Sequence, residues 1–222
     1  MNLFNEDGIW NKTFNFLGQL IALNLLWMIC TIPIITAGAS TTALYYCMIK
    51  MKKDGECDVW KSYWKSFKQN FGQATLIWIG ILMIAGCIWM EWRAASVTIE
   101  GFGGIVSYII IATIVILVIL TLYIFPVIAA FDNKIGKLFQ HAVYFGIKNI
   151  GYAILVAIIT ILPMYCTLLD VKMFPIMLFI WLSCGFSLTA YVNAGFFWKL
   201  FQPFFPSDNQ NEITEGIEEY NM

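Results

Sequence analysis

Charged residues fall into clusters along this chain, and the stretches between them are apolar. Thirty-seven uncharged residues separate Lys12 from Lys50, 22 separate Lys68 from Glu91, and 31 separate Glu100 from Asp132. A further 21 lie between Lys148 and Asp170, and 26 between Lys172 and Lys199. A bilayer core about 30 Å thick is crossed by roughly 20 helical residues. Backbone groups inside lipid must pair within their own segment, so each crossing is predicted to be helical. The spans are placed at about 14–32, 73–91, 105–128, 150–169 and 174–198. The third is the strongest: Ile105 to Phe125 holds 15 Ile, Leu, Val or Phe residues and no charge. On an insertion scale that is worth on the order of −4 to −9 kcal/mol as an upper bound. The fold class predicted is all-α, a polytopic membrane helix bundle of about five transmembrane helices with cytoplasmic interfacial amphipathic helices. Residues 1–206 form its single transmembrane domain.

The first apolar block is too long for one crossing and too short for two comfortable ones. Pro33 ends or kinks the first helix near Thr31. The run from Ile34 to Thr42 is rich in small and hydroxyl residues, among them Gly38 and Ser40, which permit close backbone approach. A short helix over 37–51, carrying Tyr45, is expected to pack at the inner membrane edge, with a re-entrant path left open. Pro33, Gly38, Ser40 and Tyr45 are candidate packing residues.

Between the first and second spans, Trp60, Tyr63, Trp64, Phe67 and Phe71 recur at helical spacing, while Lys61, Lys65 and Lys68 share another face. An amphipathic helix over 58–71 is predicted to lie roughly parallel to the membrane, its aromatics and lysines in the headgroup zone. It either cushions the bundle or offers a docking surface. A second such helix is predicted over 134–148, with Ile135, Leu138, Phe139, Ala142 and Phe145 on one stripe and Lys134, Lys137, His141 and Lys148 on the other. Asp132 is placed to cap it. With five crossings, one side of the membrane collects ten Lys and Arg residues and the other three. The positive-inside rule then puts the N-terminus outside the cell and the C-terminus in the cytoplasm. Residues 207–222 are acidic and expected to be disordered, and no cleavable signal is expected at the N-terminus.

Composition narrows the function classes. The chain is 60% hydrophobic and 12% charged, with a net charge of −1, where a soluble domain carries about 25% charged residues. Nothing supports a nucleic-acid partner, which needs a basic face. One histidine, His141, leaves little for a metal site, and no cofactor motif is present. No span has an ionisable residue at its centre, which argues against an ion-driven pump. No nucleophile and base pattern suggests an enzyme. The polar residues inside the spans are Gln19, Asn24, Ser107, Thr160, Ser183, Ser187, Thr189 and Asn193. They either cross-link helices or line a polar path. The six cysteines sit mostly in apolar segments, where they pack as small hydrophobes, and Cys87 and Cys166 fall at similar depth.

A unit of span, proline, interfacial helix, Asn-x-Gly-x-Ala and span occurs twice, around Pro33 with Asn70 and around Pro126 with Asn149. Parallel repeats of this kind occur in some transporters. Three strings carry a broader likeness: Thr31-Ile-Pro-Ile-Ile-Thr-Ala-Gly-Ala-Ser-Thr-Thr-Ala-Leu-Tyr45, Trp64-Lys-Ser-Phe-Lys-Gln-Asn-Phe-Gly-Gln-Ala-Thr75 and Phe125-Pro-Val-Ile-Ala-Ala-Phe-Asp-Asn133. With Phe201-Gln-Pro-Phe-Phe205, the chain resembles the YesL family of bacterial membrane proteins over nearly its whole length. The resemblance implies a cytoplasmic-membrane protein, mostly of Gram-positive bacteria, encoded beside sugar ABC transporters and two-component regulators. It implies an accessory role in carbohydrate uptake or its sensing, with an ABC transporter permease or a sensor kinase as partner beside the lipid bilayer. That family offers no catalytic residues to carry over, and the acidic tail departs from it. The alternative is a small transport protein built on the two copies.

Overall fold

The structure is a computed structural model, and it describes residues 9–98, 103–169 and 172–205. The acidic tail at 207–222 and the first eight residues lie outside the described residues. The helices are α1 (Ile9–Thr31), α2 (Ala37–Asp54), α3 (Val59–Thr98), α4 (Gly103–Ala130), α5 (Ile135–Lys148), α6 (Ile150–Leu169), α7 (Phe174–Ile180) and α8 (Phe186–Phe201). A single π-helical turn, Trp181–Gly185, joins α7 to α8, and a short 3₁₀ turn, Gln202–Phe204, follows. Among the described residues, five stretches are long and apolar enough to cross a membrane: Trp10–Thr31, Val59–Ala94, Ser107–Ala130, Ile150–Leu169 and Phe174–Phe204. The chain is therefore an all-α polytopic bundle. Its outer surface is apolar, with side chains such as Ile116, Ile158 and Phe179 exposed, as expected where lipid rather than water is the solvent.

The core is organised around α2, which is not among the five apolar helices. It packs on α1, α3, α4 and α8, and twelve of its residues are buried, from Ala37 to Met51. The expected place at the inner membrane edge is replaced by one inside the bundle. Small side chains make this possible. A Cβ on Gly38 would come within 2.6 Å of the Ala74 carbonyl oxygen and 2.7 Å of the Trp78 Cβ. Because protein surrounds it, α2 needs few lipid-compatible side chains. It ends at Gly55, whose φ of 80° is left-handed and whose N–H donates to the Met51 carbonyl at 3.1 Å. Glycine adopts that conformation without a Cβ clash.

Several expectations are corrected. The predicted break between an interfacial helix at 58–71 and a span at 73–91 is absent. Residues Val59–Thr98 form one helix of 40 residues, about 60 Å long at 1.5 Å per residue. No proline interrupts it, and a helical glycine such as Gly72 costs only about 1 kcal/mol. Asn70 stays inside the ladder, its amide donating to the Ser66 carbonyl at 3.1 Å. Ser62, Tyr63, Ser66, Ala74, Ile77 and Ile81 make one buried stripe across the expected break, so packing on the core holds the helix continuous. The α5 segment does form, but Asp132 is exposed and is not its cap. The cap position is Lys134, with no side-chain cap bond.

The two-copy unit does not survive as repeated elements. Pro33 lies in the turn between α1 and α2, whereas Pro126 is buried within α4, which continues to Ala130. Asn149 stands at the break between α5 and α6, whereas Asn70 is mid-helix. The first unit also contains a whole extra helix, α2.

The ends of the bundle differ from the expected topology too. Asn11, Lys12, Asn15 and Gln19 of α1 line one cleft with Asp54, Gly55 and Glu56 of the α2–α3 turn. Lys50 and Lys53 face Ala129, Ala130, Trp198 and Phe205 across a second recess. Phe131 stacks on Phe205 with ring centroids 5.7 Å apart. The start of α1, the α2–α3 turn, the α4–α5 junction and the end of α8 thus share one end of the bundle. The start of α1 and the lysine-rich α2–α3 turn lie at the same end because α2 returns along α1, where five simple crossings would set them at opposite ends.

Candidate functional site

Three polar features stand out in this apolar bundle. The first is a seam joining α1, α2 and α3. The Ser40 side chain, fully buried, donates to the Trp27 carbonyl at 3.0 Å. Its oxygen lies 2.8 Å from the Tyr63 hydroxyl and 3.2 Å from Thr31 Oγ1. Trp27 Nε1 donates to Thr41 Oγ1 at 3.1 Å. The turn before α2 is held from the side: Trp78 Nε1 donates to the Ile34 carbonyl at 2.8 Å. Ile34 has a φ of 51°, a left-handed conformation that a β-branched residue adopts only under constraint. Beyond the seam, the Cys57 thiol in the α2–α3 turn is pushed down to about 7, chiefly because the Cys47 thiol hydrogen-bonds to it.

The second feature is the π-helical turn between α7 and α8, inside the last span. A π turn shifts the backbone ladder and leaves groups that must be paired elsewhere in lipid. Asn24 of α1 supplies the partners. Its side-chain nitrogen donates to the carbonyls of Trp181 and Leu182 at 3.0 and 2.9 Å, and its oxygen accepts from the Ser187 backbone N–H at 3.0 Å. Asn24 and Ser187 are both fully buried. Beside them is a cavity of about 150 Å³ between α1, α2, α6, the π turn and α8, lined mainly by rings and hydroxyls including Trp27, Thr41, Tyr45, Thr160, Phe186 and Asn193.

The third feature is an open groove on the outer face of α3, lined by Trp60, Lys61, Trp64, Lys65 and Lys68. The aromatic spacing produces a ladder along the helix: Trp60–Trp64 at 5.9 Å, Trp64–Phe67 at 5.4 Å and Phe67–Phe71 at 5.5 Å. The rings are not equally covered. Tyr63 is fully buried against α2, whereas Trp60 is 65% exposed and Phe71 40%. The Trp64 indole nitrogen is buried with no hydrogen-bond partner. This groove is the first stretch of a spanning helix, not a separate helix in the membrane plane.

Of the residues singled out by sequence, Gly38 and Ser40 meet in the core around α2, and Tyr45 packs edge-on to Phe197 at 5.7 Å. Pro33 lies in the turn between α1 and α2, Pro126 inside α4, and Asn149 at the break between α5 and α6. Among the polar residues of the spans, Asn24 and Ser187 pair, and Asn193 donates to Thr160 at 2.9 Å. Gln19 instead lines the cleft at the basic end. His141 stacks on Phe131 at 5.7 Å, so it belongs to an aromatic cluster. Sequence reading missed Trp27, Thr41, Trp181 and Phe186. Their common signal, aromatics and hydroxyls inside spans, also describes ordinary packing.

The family described as "Protein of unknown function, DUF624" matches residues 20–92. That stretch holds most of α1, all of α2, and α3 as far as Trp92, and so contains the whole Ser40 seam and the aromatic–lysine groove. No curated protein and no solved structure matches the chain.

Proposed function

We propose that this chain is a non-enzymatic accessory or regulatory protein of the cell membrane that docks on a membrane partner through the groove at the start of α3. The observation that carries the reading is the division of labour on that helix. One face is sealed on α2 through Ser62, Tyr63 and Ser66, while Trp60, Lys61, Lys65 and Lys68 stand exposed on the other. Exposed Trp beside Lys is costly to leave in water and is typical of surfaces that meet a partner or headgroups. The end of the bundle that carries the groove gathers eleven of the thirteen Lys and Arg residues, leaving Arg93 and Lys172 for the other. The positive-inside rule makes that end cytoplasmic, with both the start of α1 and the end of α8 on it.

The resemblance to the YesL family adds the partner class, a sugar transporter permease or a sensor kinase, and with it a role in carbohydrate uptake or its sensing. The transport alternative rested on two equivalent copies, and no such pair of elements supports it.

The test is in-cell photocrosslinking. A photoreactive amino acid at Trp60 or Lys65, in cells grown on inducing sugars, should capture a permease or kinase subunit. Replacing Lys61, Lys65 and Lys68 together with Glu should abolish the product, and Lys134→Glu alone should not. Crosslinks confined to lipid, or to copies of this chain, would refute the docking role.

A further inference from the structure

We infer that the acidic segment 207–222 of this chain docks on its own lysine–tryptophan groove at the start of α3; the inference rests on the docking reading above for its consequence, competition with the partner. The groove is lined by Trp60, Lys61, Trp64, Lys65 and Lys68, with no acidic side chain among them. The three lysines are exposed. Their spacing of four and three residues sets the ammonium groups on one side of the helix, over about 10 Å of its axis. Several other lysines at that end of the bundle already have company. Lys12 shares the cleft at the start of α1 with Asp54 and Glu56. Lys50 and Lys53 share the second recess with Asp54. Lys52 lies 3.4 Å above the Tyr191 ring, and Lys148 donates to the Tyr144 hydroxyl at 2.7 Å. Asp58, next to the groove in sequence, is turned to the helix start, where its Oδ1 accepts from the Lys61 backbone N–H at 3.2 Å. The groove therefore presents three like charges with no counter-charge in its lining, beside a Trp60 ring that is 65% exposed.

Residues 207–222 supply the missing charge. They carry Asp208, Glu212, Glu215, Glu218 and Glu219 and no Lys or Arg. Asp208, Glu212, Glu215 and Glu219 follow one another at four, three and four residues, the interval of Lys61, Lys65 and Lys68. A helical course along the groove would meet all three lysines in one register. The tether also starts close by. Phe205 shares the second recess with Lys50, and the Lys50 ammonium lies 3.4 Å from the hydroxyl of Ser62, the residue after Lys61. Glu212 is seven residues beyond Phe205 and Glu219 fourteen, lengths that extended chain spans at about 25 and 50 Å. A segment tethered this near acts at an effective concentration on the order of millimolar. It is the first occupant of the groove, and the partner proposed above must displace it.

Carbodiimide coupling of the purified full-length protein in neutral detergent tests this, because the reagent joins a carboxylate to an amine only where the two touch. Peptide mapping of the monomer should find amide links from Glu212, Glu215 or Glu219 to Lys61, Lys65 or Lys68. At 1 M salt, where the screening length falls to about 3 Å, their yield should drop about tenfold, the combined worth of three exposed ion pairs. Neutralising the segment by Asp208→Asn, Glu212→Gln, Glu215→Gln and Glu219→Gln should raise partner capture by a photoreactive amino acid at Trp60 severalfold. The native chain carries the first measurement, so it stands even if a variant folds poorly. An absence of links, which leaves the groove to lipid or partner, would overturn the assignment. So would links found only between two copies, or only to Lys134, Lys137 or Lys199. Unchanged capture by the neutralised variant would overturn the competition. Links within a chain that captures no partner uphold the contact and sink the docking reading alone; capture without links does the reverse.

Discussion

Asn24 holds the irregular part of the last span in place. It pairs two carbonyls and one N–H at the π turn, none of which can turn to water. Asn24→Leu keeps the volume and removes all three bonds. Each orphaned buried group costs about 1–3 kcal/mol, although hydrogen bonds in membrane proteins average nearer 0.6 kcal/mol. A net loss of about 2–3 kcal/mol is expected, measured by reversible unfolding in mixed micelles; a loss below about 0.5 kcal/mol would show that the turn finds other partners. Gly38 presents a steric constraint instead. A Cβ there would overlap a backbone oxygen, so Gly38→Ala should destabilise by about 1–3 kcal/mol. Gly80, on the same bundle, has nothing within 4 Å of its added Cβ. Gly80→Ala should be neutral or stabilising by up to about 1 kcal/mol. Equal effects of the two substitutions would mean that helix propensity, not packing, governs both.

Among elements, α3 decides how the basic end is built. If residues 59–98 are one helix, spin labels replacing Lys61 and Leu82 should lie about 31 Å apart along the axis. Their distance distribution, by pulsed electron resonance, should be narrow. A broad or markedly shorter distribution would restore a hinge near Gly72. This element also shows what the sequence disclosed and what it withheld. The five apolar helices were legible because lipid imposes one rule on every exposed face, and the charge-free blocks record it. The continuity of α3 was hidden because its first turns carry lysines that mimic an independent surface helix. The buried stripe from Ser62 to Ile81 becomes visible only once α2 is known to lie against it. The packing of α2 was hidden for the opposite reason: its neighbours are protein, so Ser40, Thr42 and Tyr45 could replace the leucines that mark a span. The cavity was legible only in part. Asn24, Thr160 and Asn193 stood out as polar residues in apolar segments, but Trp27, Trp181 and Phe186 gave no sign of convergence.

For the whole molecule, the shared end of α1, α2 and α8 fixes a topology that labelling can check. In a cysteine-free background, an impermeant maleimide added to intact cells should modify single cysteines at Arg93 or Lys172. It should spare those at Trp10 or Lys61 until the cells are opened. Labelling of the Trp10→Cys variant from outside would reinstate five crossings with the N-terminus out. The central position of α2 also has a consequence for biosynthesis. One wall of its chamber is α8, which touches it through Tyr45 and Phe197 at 5.7 Å and through Lys52 over the Tyr191 ring at 3.4 Å. At about 5–20 residues per second, the ribosome reaches α8 roughly 7–26 s after it has finished α2. During that interval the seam with α1 and α3 can form, but the α8 side of α2 stays open to the translocon or to lipid. A helix too polar to enter the bilayer alone must therefore be held there by its early neighbours, and the chamber closes only once α8 has been made.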